Sequence, residues 1–325
     1  MKKHIISLSI SMAIILIGIL CFKEVEQNSL LIEEKNNRLV ATQEISQIST
    51  NIQTILNSNM QYVEFFDLLI QNNANISKES IENFADNILK NNNIVDNISI
   101  APNAIVKYIY PIKGNESAIG HDLLRDPDRK EYIKRSIETK EAISQGPVVA
   151  KQGGLKIFNR KSIFINEKGV EKFWGVVAIS IDFDKLLEQL ELLPEKGDYL
   201  YSLKVNRTNN NEDFVWGHDE IFNKDAITKN MKLSGETWTI AIYPKNGWSN
   251  IEVTYQNIKS FLYLILIGVF FLVYSYIYHY LQIKDAAKQD PLTGLYNKKY
   301  FENYVEKRIK KSNKQHALLL IDLNH

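Results

Sequence analysis

Two long apolar segments, at residues 5–22 and 261–280, restrict the fold of this chain more than any other feature of its sequence. The first reads IISLSISMAIILIGILCF, and eighteen helical residues at about 1.5 Å each extend roughly 27 Å, close to the hydrocarbon thickness of a bilayer. The second reads FLYLILIGVFFLVYSYIYHY, is uncharged, and gains tyrosines toward its C-terminal end, as interfacial aromatic belts do. We expect two transmembrane helices, at residues 5–22 and 258–281.

Other interpretations of these segments fit the sequence less well. A cleaved signal peptide would place a small-x-small site at the end of the first segment, whereas Phe22, Lys23 and Glu24 occupy that place. Cys21 is preceded by the bulky Leu20, where a lipoprotein site requires a small residue. The alternative for the second segment is a buried helix of a soluble domain.

The charges near the first segment predict the orientation. Lys2 and Lys3 precede it and favour a cytoplasmic N-terminus, residues 1–4. Two spans then leave residues 23–257 outside and return residues 282–325 to the cytoplasm of a two-pass cell-membrane protein. Lys plus Arg total 39 against 38 for Asp plus Glu, which gives no electrostatic reason to expect a nucleic-acid partner. The single cysteine excludes an intrachain disulfide.

Residues 41–70 have the pattern of one long helix. Apolar side chains recur at alternating spacings of three and four residues, and Asn59 occupies one place in that series. The stripe either packs on the domain of its own chain or forms a seam between two chains, with Asn59 as the marker of register. Its members are Ile45, Ile48, Ile52, Ile55, Asn59, Tyr62, Phe66 and Leu69.

The rest of the outer segment predicts an α+β domain with antiparallel strands, because short apolar runs alternate with turn residues. Helices are predicted from Asp126-Pro127 through residue 137 and over residues 182–190. A short strand pair is expected after Pro194. The other predicted strands are two within residues 94–110 and one each at 142–150, 156–165, 173–181 and 236–243, with a turn at Lys168-Gly169.

Three stretches of this segment resemble the CHASE family of extracytoplasmic sensors: IAPNAIVKYIYPIKGNESAIGHDLLRDPDRK, ISQGPVVAKQGG and FWGVVAISIDFDKLL. Their order agrees with the family over about residues 63–190, and GHDLL-x-DP-x-R at residues 120–129 is among the most specific parts. WTIAIYPKNGW, within about residues 195–250, is similar to the membrane-proximal part that often follows. The resemblance implies a PAS-like fold between two membrane spans and a small extracytoplasmic ligand, with the ligand and its binding residues unknown.

Several polar residues in this region have two interpretations. His121 beside Asp122 has the composition of a metal or acid–base site, but no second histidine lies at ligand spacing, so local capping is favoured. Lys156, Arg160 and Lys161 form either an anion site or a solvated strand face, and the solvated face is favoured.

Aromatic residues suggest both packing and binding roles. Trp174 alternates with Phe173 along a predicted strand, so one of the two is expected to pack inward. Tyr108, Tyr110 and Phe158 are candidates for the lining of a small pocket.

The segment after the second apolar run begins QDPLTGLYNKKYF, at residues 289–301. The residue before a proline avoids the helical conformation, so Asp290 predicts a turn, and helical spacing of apolar residues predicts a helix at 296–309. ALLLI at residues 317–321 is typical of a buried strand and leads into Asp322.

This order of turn, helix, strand and carboxylate closely resembles the start of a GGDEF domain. The resemblance implies an incomplete α/β domain at residues 290–325 after a linker at 282–289. For a complete parent it implies diguanylate cyclase chemistry, in which two GTP give cyclic di-GMP and two pyrophosphates. The residues that match the opening D-x-L-T-G-L-x-N are Asp290, Leu292, Thr293, Gly294, Leu295 and Asn297.

Mg²⁺ is the cofactor that the resemblance implies for a complete parent. By resemblance, the carboxylate of Asp322 and the carbonyl of Leu323 would hold it, and hard oxygen ligands suit this ion. Considered without the family, Asp322 is better explained as a structural carboxylate at a strand end. The Gly-Gly-Asp/Glu-Glu-Phe signature does not occur in the sequence, so we expect a truncated protein without cyclase activity.

The sequence therefore predicts a membrane receptor that resembles the sensor half of a diguanylate cyclase. We expect a homodimer whose geometry an outside ligand changes, with GTP as a partner only of a complete parent. The alternative is a non-enzymatic ligand-binding module that acts through dimerisation. A sensor histidine kinase would need a histidine-bearing helix after the second span, whereas His279 lies inside that span and the linker contains no histidine.

Overall fold

The computed structural model describes residues 2–72, 77–207, 213–248, 253–311 and 317, with side chains omitted at 253–258. The chain forms two compact units. One is Ile32–Asn250, and the other combines Met1–Leu31 with Ile251–His325. The mixed helix and sheet content confirms the predicted α+β class at this coarse level.

Helix α1 is a single helix over Lys2–Asn72. The sequence patterns predicted its two ends as separate segments, at residues 5–22 and 41–70. The residues between them contain no glycine or proline and are rich in Glu, Lys, Leu and Asn, so no residue type interrupts helical hydrogen bonding. The two segments were therefore correctly predicted as helices, but the sequence patterns did not predict that they form one continuous helix.

The apolar stripe of α1 packs on its own domain. Ile45 and Ile52 belong to one core cluster and Phe66 to another, each at most 1% exposed. Asn59 is buried as well: its amide donates to the Ile55 carbonyl at 2.8 Å, and its oxygen accepts from the Asn92 amide at 2.8 Å. The stripe therefore packs on its own domain, as one of its two interpretations predicted. Ile48, Ile55, Tyr62 and Leu69 are only half-buried, and a seam between two chains stays a prediction.

The first sheet has five antiparallel strands in the order β2-β1-β5-β4-β3. Its predicted strands are confirmed within a few residues. The helix predicted from Asp126 starts later, since Asp126 instead forms a turn in which its carboxylate accepts from the Asp128 amide at 2.9 Å. The elements are α2 (Lys78–Asn91), β1 (Val95–Pro102), β2 (Tyr108–Tyr110), α3 (Lys130–Thr139), β3 (Ile143–Val149), β4 (Leu155–Glu167) and β5 (Val170–Asp182).

The second sheet follows α4 (Phe183–Gln189), whose N-cap is Asp182. Its strands run in the order β6-β7-β10-β9, and β8 pairs with the same β7. The strands β8 and β9 were not predicted. For β9 the reason is that its sequence, ITKNMKL, buries only Met231 and Leu233 and shows no clear apolar alternation. The strands are β6 (Glu195–Lys196), β7 (Tyr199–Asn206), β8 (Phe214–Gly217), β9 (Ile227–Leu233) and β10 (Glu236–Pro244).

The two faces of the first sheet have different coverings. Ile98 and Val177 face α1 and α2 and pack with Phe66. Val176 faces the opposite side and packs with Ile133 of α3. The α3 side of the sheet also carries the polar residues of the site described below.

A buried hydrogen-bonded contact joins the two sheets. The carboxylate of Glu236 is 5% exposed and accepts from the Tyr132 hydroxyl at 2.6 Å and from the Gly146 amide at 2.9 Å. Beside it, the Ser144 amide donates to the Ser234 carbonyl at 2.5 Å. Gly235 lies so close that a Cβ there would meet the Ser144 oxygen at 2.6 Å, so the turn between β9 and β10 fits against β3 only with glycine at this position.

The other compact unit contains α5 (Val253–Ala286) and α6 (Lys298–Lys310). The helices α1 and α5 are each long and apolar enough over one stretch to cross a membrane. Ion pairs join them near both ends of the first apolar segment: Lys3 with Asp285 and Glu26 with Lys259, each at 2.7 Å. These ion pairs contact both helices within this unit.

Truncation of the buried α1 stripe tests its role in the fold. We expect Phe66→Ala to reduce the free energy of unfolding by roughly 3–5 kcal/mol, because the ring is fully buried. The control Leu68→Ala, at a residue 59% exposed on the same helix, is expected to change it by less than about 0.5 kcal/mol. Urea unfolding followed by tryptophan fluorescence measures both. Equal effects would show that this stripe does not support the core.

The buried Glu236 predicts a pH dependence. Burial raises the pKa of Glu236 above its ordinary value, although the hydrogen bonds from Tyr132 and Gly146 oppose that change. Its stabilising contribution is therefore complete below the unfolded pKa of about 4.3 and is lost as pH rises through the folded pKa. We expect wild type to lose stability relative to Glu236→Gln over that interval, measured by urea unfolding from pH 4 upward. A difference that stays constant with pH would contradict this.

Candidate ligand-binding site

A small cavity lies on the α3 face of the first sheet, between its central strands and the loop before α3. Its volume is about 30 Å³. Strand register explains why there is space, since Arg160 of β4, Ala178 of β5 and Ser99 of β1 stand side by side. The small side chains of Ala178 and Ser99 leave room in front of the guanidinium. The polar and charged residues of the lining are Asn97, Ser99, His121, Arg129, Lys151, Gln152 and Arg160.

Arg160 is the central feature of this cavity. Its side chain is 2% exposed, and its Nη1 donates to the Gln145 Oε1 at 2.6 Å. The guanidinium carbon lies 4.4 Å from the centroid of the Phe158 ring, two residues earlier on the same strand face. Within the part of the chain that the structure describes, no carboxylate lies within 4 Å of this guanidinium.

The pKa of Arg160 reflects the burial of its charge without a neighbouring carboxylate. Burial, followed by the positive charge of Arg129, lowers the pKa of Arg160 to about 9. The guanidinium still carries its charge at neutral pH. A buried cation with a neutral amide and an aromatic ring as its neighbours favours the approach of an anion.

Arg129, by contrast, already has a carboxylate partner. Its Nη1 lies 2.8 Å from the Asp126 Oδ2, and its Nη2 donates to the Val149 carbonyl at 3.2 Å. The same Asp126 oxygen lies 2.7 Å from the His121 Nε2. The Asp-Pro-Asp-Arg turn before α3 places Asp126 and Arg129 three residues apart, which explains their contact.

The pKa shifts in this group follow from burial and from that contact. Burial lowers the pKa of His121, although the hydrogen bond to Asp126 opposes the change. Burial alone would raise the pKa of Asp126, but Arg129 and the hydrogen bonds to its carboxylate lower it overall. Near neutral pH, His121 is therefore uncharged and Asp126 compensates Arg129. His121 acts here as a local hydrogen-bonding residue. The sequence favoured this role because no second histidine lies at ligand spacing.

The three cationic residues singled out in the sequence do not form one cluster. Lys156 contacts Asp96 at 2.9 Å and Asp182 at 2.5 Å. Lys161 lies on the opposite face of β4, where it pairs with Glu64 of α1 and lies 3.3 Å from Asp67. The favoured interpretation as a solvated strand face is wrong, because the lysines are neutralised by carboxylates and Arg160 is buried.

The candidate aromatic residues separate in a similar way. Phe158 lines the cavity beside Arg160, whereas Tyr108 and Tyr110 line another cavity, of about 290 Å³, beside α2. Trp174 packs against the core between the first sheet and α1, and Phe173 packs on the other face. Both rings of this pair are therefore partly buried, on opposite sides of one strand.

Sequence reasoning missed Asn97, Ser99, Arg129 and Gln145 as contributors to the site. Arg129 belongs to the GHDLL-x-DP-x-R segment that carried the family resemblance, so a signal for it was present. The other three are polar residues on buried strands, and only the strand register brings them near Arg160.

The predicted domain-opening motif after α5 forms a compact turn. The Asp290 Oδ1 accepts from the backbone amides of Leu292 at 3.1 Å and Thr293 at 3.0 Å. Gly294 has a φ of 69°, which suits glycine, and Asn297 caps α6 by accepting from the Tyr300 amide at 2.9 Å. The helix predicted at residues 296–309 is thus confirmed as α6.

The predicted metal ligands Asp322 and Leu323 lie outside the described residues, as does the strand predicted at 317–321 apart from Ala317. Among the residues that the structure describes, no group of three or more His, Cys, Asp and Glu side chains has the arrangement of a metal site. The magnesium site stays a prediction.

Two family models match the chain. The CHASE domain matches residues 70–213, and the diguanylate cyclase GGDEF domain matches residues 287–325. No curated protein matches. These two matches overlap the segments whose sequence resembled the same families, at about residues 63–190 and 290–325.

Several solved sensor structures are similar to this chain. The extracellular ligand binding receptor from Desulfohalobium retbaense DSM5692 has 13% identity and a TM-score of 0.46, over 61% of this chain and 39% of that protein. The ligand-binding domain of the Pseudomonas aeruginosa PAO1 amino acid chemoreceptor PctC was solved with GABA. It has 16% identity and a TM-score of 0.45, over 61% of this chain and 95% of that domain. A domain of a sensory box/GGDEF family protein from Vibrio parahaemolyticus has 14% identity and a TM-score of 0.44, over 67% of this chain and 100% of that domain.

The assignment of the chain therefore rests on the two family models. The chain carries a CHASE-domain match followed by a GGDEF-domain match, which is consistent with a sensor of a diguanylate cyclase-type protein.

Proposed function

We propose that the chain is a two-pass receptor of the cell membrane, with residues 5–22 and 258–281 as its spans. Residues 23–257 form the outer, PAS-like sensor, and both termini lie in the cytoplasm. The apolar stretches of α1 and α5 support this arrangement, as do Lys2 and Lys3 before the first stretch.

The sensor binds a small ligand through an anionic group at Arg160. One observation carries this proposal: a fully buried guanidinium faces a polar cavity and lacks a carboxylate partner among the described residues. A carboxylate or phosphate would form charge-assisted hydrogen bonds with the guanidinium nitrogens. Asn97 and Ser99 offer additional polar contacts on the neighbouring strand.

The size of the cavity implies movement on binding. A space of about 30 Å³ accommodates a group of roughly the size of one water molecule. A larger ligand must therefore displace the loop between β2 and α3, which holds His121, Asp126 and Arg129. Ligand occupancy would then change the position of α3 relative to the sheet.

A route from this site to the second sheet passes through β3. Gln145 contacts Arg160 through its side chain, and its neighbours Ser144 and Gly146 contact the turn of Ser234 and the carboxylate of Glu236. A shift of β3 would therefore move the second sheet, after which the chain continues into α5 and the linker at 282–289. We propose that a homodimer converts this shift into a change of output.

The GGDEF match supports a diguanylate cyclase as the output, with GTP and Mg²⁺ entering in a protein that contains the complete domain. Asp322 and Leu323 remain the proposed ligands of the ion. A receptor module without catalysis, acting through dimerisation, is the second candidate, and it shares the same ligand site.

Removal of the Arg160 charge tests the ligand site. We expect Arg160→Gln to abolish the rise in melting temperature that small carboxylates or inorganic phosphate cause in the wild-type chain. Without ligand, we expect the variant to be more stable by roughly 1 kcal/mol, because an uncompensated buried charge is removed while an amide donor to Gln145 is kept. Differential scanning fluorimetry of the full chain in nanodiscs, against acetate, succinate, alanine, citrate and phosphate, measures both effects.

The matched control is Arg125→Gln, at a side chain that is 89% exposed. It should leave the response to anions unchanged. An Arg160→Gln variant that keeps the response, or that is destabilised without ligand, would show that Arg160 has a structural role instead.

Insertions in α5 test the coupling to output. One alanine inserted after Lys284 rotates the following residues by about 100°, whereas seven inserted residues return them to within about 20°. In a protein with a complete GGDEF domain, we expect the first insertion to uncouple cyclic di-GMP production from ligand and the second to preserve it. Regulation that survives both insertions equally would exclude helical phase as the transmitted quantity.

A further inference from the structure

A larger cavity lies between the two sheets of the Ile32–Asn250 unit. Its volume is about 560 Å³, which falls in the range of sites for small organic ligands. Residues of α3, β3 and β4 bound it on one side, and Arg207 and Phe214 bound it on the other. It adjoins the cavity at Arg160 through the shared residue Arg129, but Arg160 does not line it.

Arg207 lines this cavity and has one guanidinium nitrogen without a hydrogen-bond partner. Its Nη2 donates to the Pro147 carbonyl at 2.9 Å, while its buried Nε has no partner. No carboxylate of the described part of the chain lies within 4 Å of the Arg207 guanidinium. Glu236 is close enough for its pKa to be lowered by this charge, yet its oxygens are already used by Tyr132 and Gly146.

Part of the cavity wall is apolar. Val148 and Val149 of β3, Leu155 of β4 and Phe214 of β8 face the space, together with the ring of Tyr132. Val149 is 70% exposed, which is unusual for a large apolar residue of a sheet. An apolar ligand body would cover these side chains and remove them from water.

We propose that this cavity is a second binding site, for a small organic monoanion with an apolar body. The carboxylate of the ligand binds the guanidinium of Arg207, and its body packs between Phe214 and Val148. Asp128 also lines the cavity and repels a second negative group, so the site favours one carboxylate over two. The site is distinct from the ligand site at Arg160, since Arg160 does not line it.

Such a ligand would contact both sheets at once. Val148 belongs to the first sheet and Phe214 to the second, beside the buried contact of Glu236 with Gly146. Binding would hold the two sheets together and would thereby modulate the route from Arg160 to the second sheet.

The test uses the full chain in nanodiscs and benzoate as the probe, with benzamide as its uncharged counterpart. We expect isothermal titration calorimetry to show saturable benzoate binding by wild type and by Arg160→Gln. Binding should weaken at least tenfold in Arg207→Gln, and benzamide should bind at least tenfold more weakly than benzoate. Arg125→Gln, at an exposed arginine, is the matched control and should bind like wild type.

A second variant, Val148→Trp, fills the cavity without changing any charge and is expected to abolish benzoate binding. This variant tests the proposed site if Arg207→Gln does not fold. The proposal is overturned if wild type shows no saturable binding at millimolar benzoate, if Arg207→Gln or Val148→Trp binds like wild type, or if benzamide equals benzoate. Binding that disappears in Arg160→Gln but persists in Arg207→Gln would assign the probe to the Arg160 site and overturn only the second site.

Discussion

The packing of α1 against both sheets is the interaction on which the rest of the Ile32–Asn250 unit depends. The residues Ile45, Ile52 and Leu56 contribute to the core shared with the second sheet, and Phe66 belongs to the core of the first. Each fully buried side chain of this kind stabilises the fold by about 1.5–3 kcal/mol relative to an exposed position. Since one helix supplies both cores, neither sheet can move far along α1 without exposing apolar surface. Relative motion of the sheets is therefore restricted to small displacements.

Polar contacts along the same helix define its register on the sheets. Asn59 accepts a hydrogen bond from Asn92, which lies just before β1. The carboxylates of Glu64 and Asp67 form ion pairs with Lys161 of β4. Such contacts contribute little net stability, but a buried polar group left without a partner costs about 1–3 kcal/mol. A shift of α1 by one residue would break them together with the apolar packing. The contacts therefore specify one position of the helix rather than add to its affinity for the sheets.

Much of the fold follows from patterns that are visible in the sequence, and the parts that do not follow have identifiable reasons. The strands β3, β4 and β5 were predictable because their apolar residues recur within short runs bounded by turns such as Lys168-Gly169. The strand β9 was not, because its stability comes from pairing with β10 rather than from its own composition. The site was only partly predictable: Arg160 and Phe158 were candidates, but the burial of Arg160 depends on residues such as Asn97 and Gln145, which register alone brings near. The sequence also did not indicate that Lys156 and Lys161 are neutralised by carboxylates that lie far from them along the chain.

The buried charge of Arg160 is best understood as a cost to stability that a binding function explains. A buried cation usually has an anionic partner, because removal of a charge from water is expensive. Here Phe158 and Gln145 offset only part of that cost, and Arg129 raises it. Replacement of Arg160 by a neutral residue would relieve this cost without disturbing the α1 packing, so stability alone does not account for an arginine at this position. An anion that enters the cavity would complete the compensation, and the free energy released would be available to move the loop before α3. The local instability of the site and its proposed capacity to transmit a signal thus have the same physical origin.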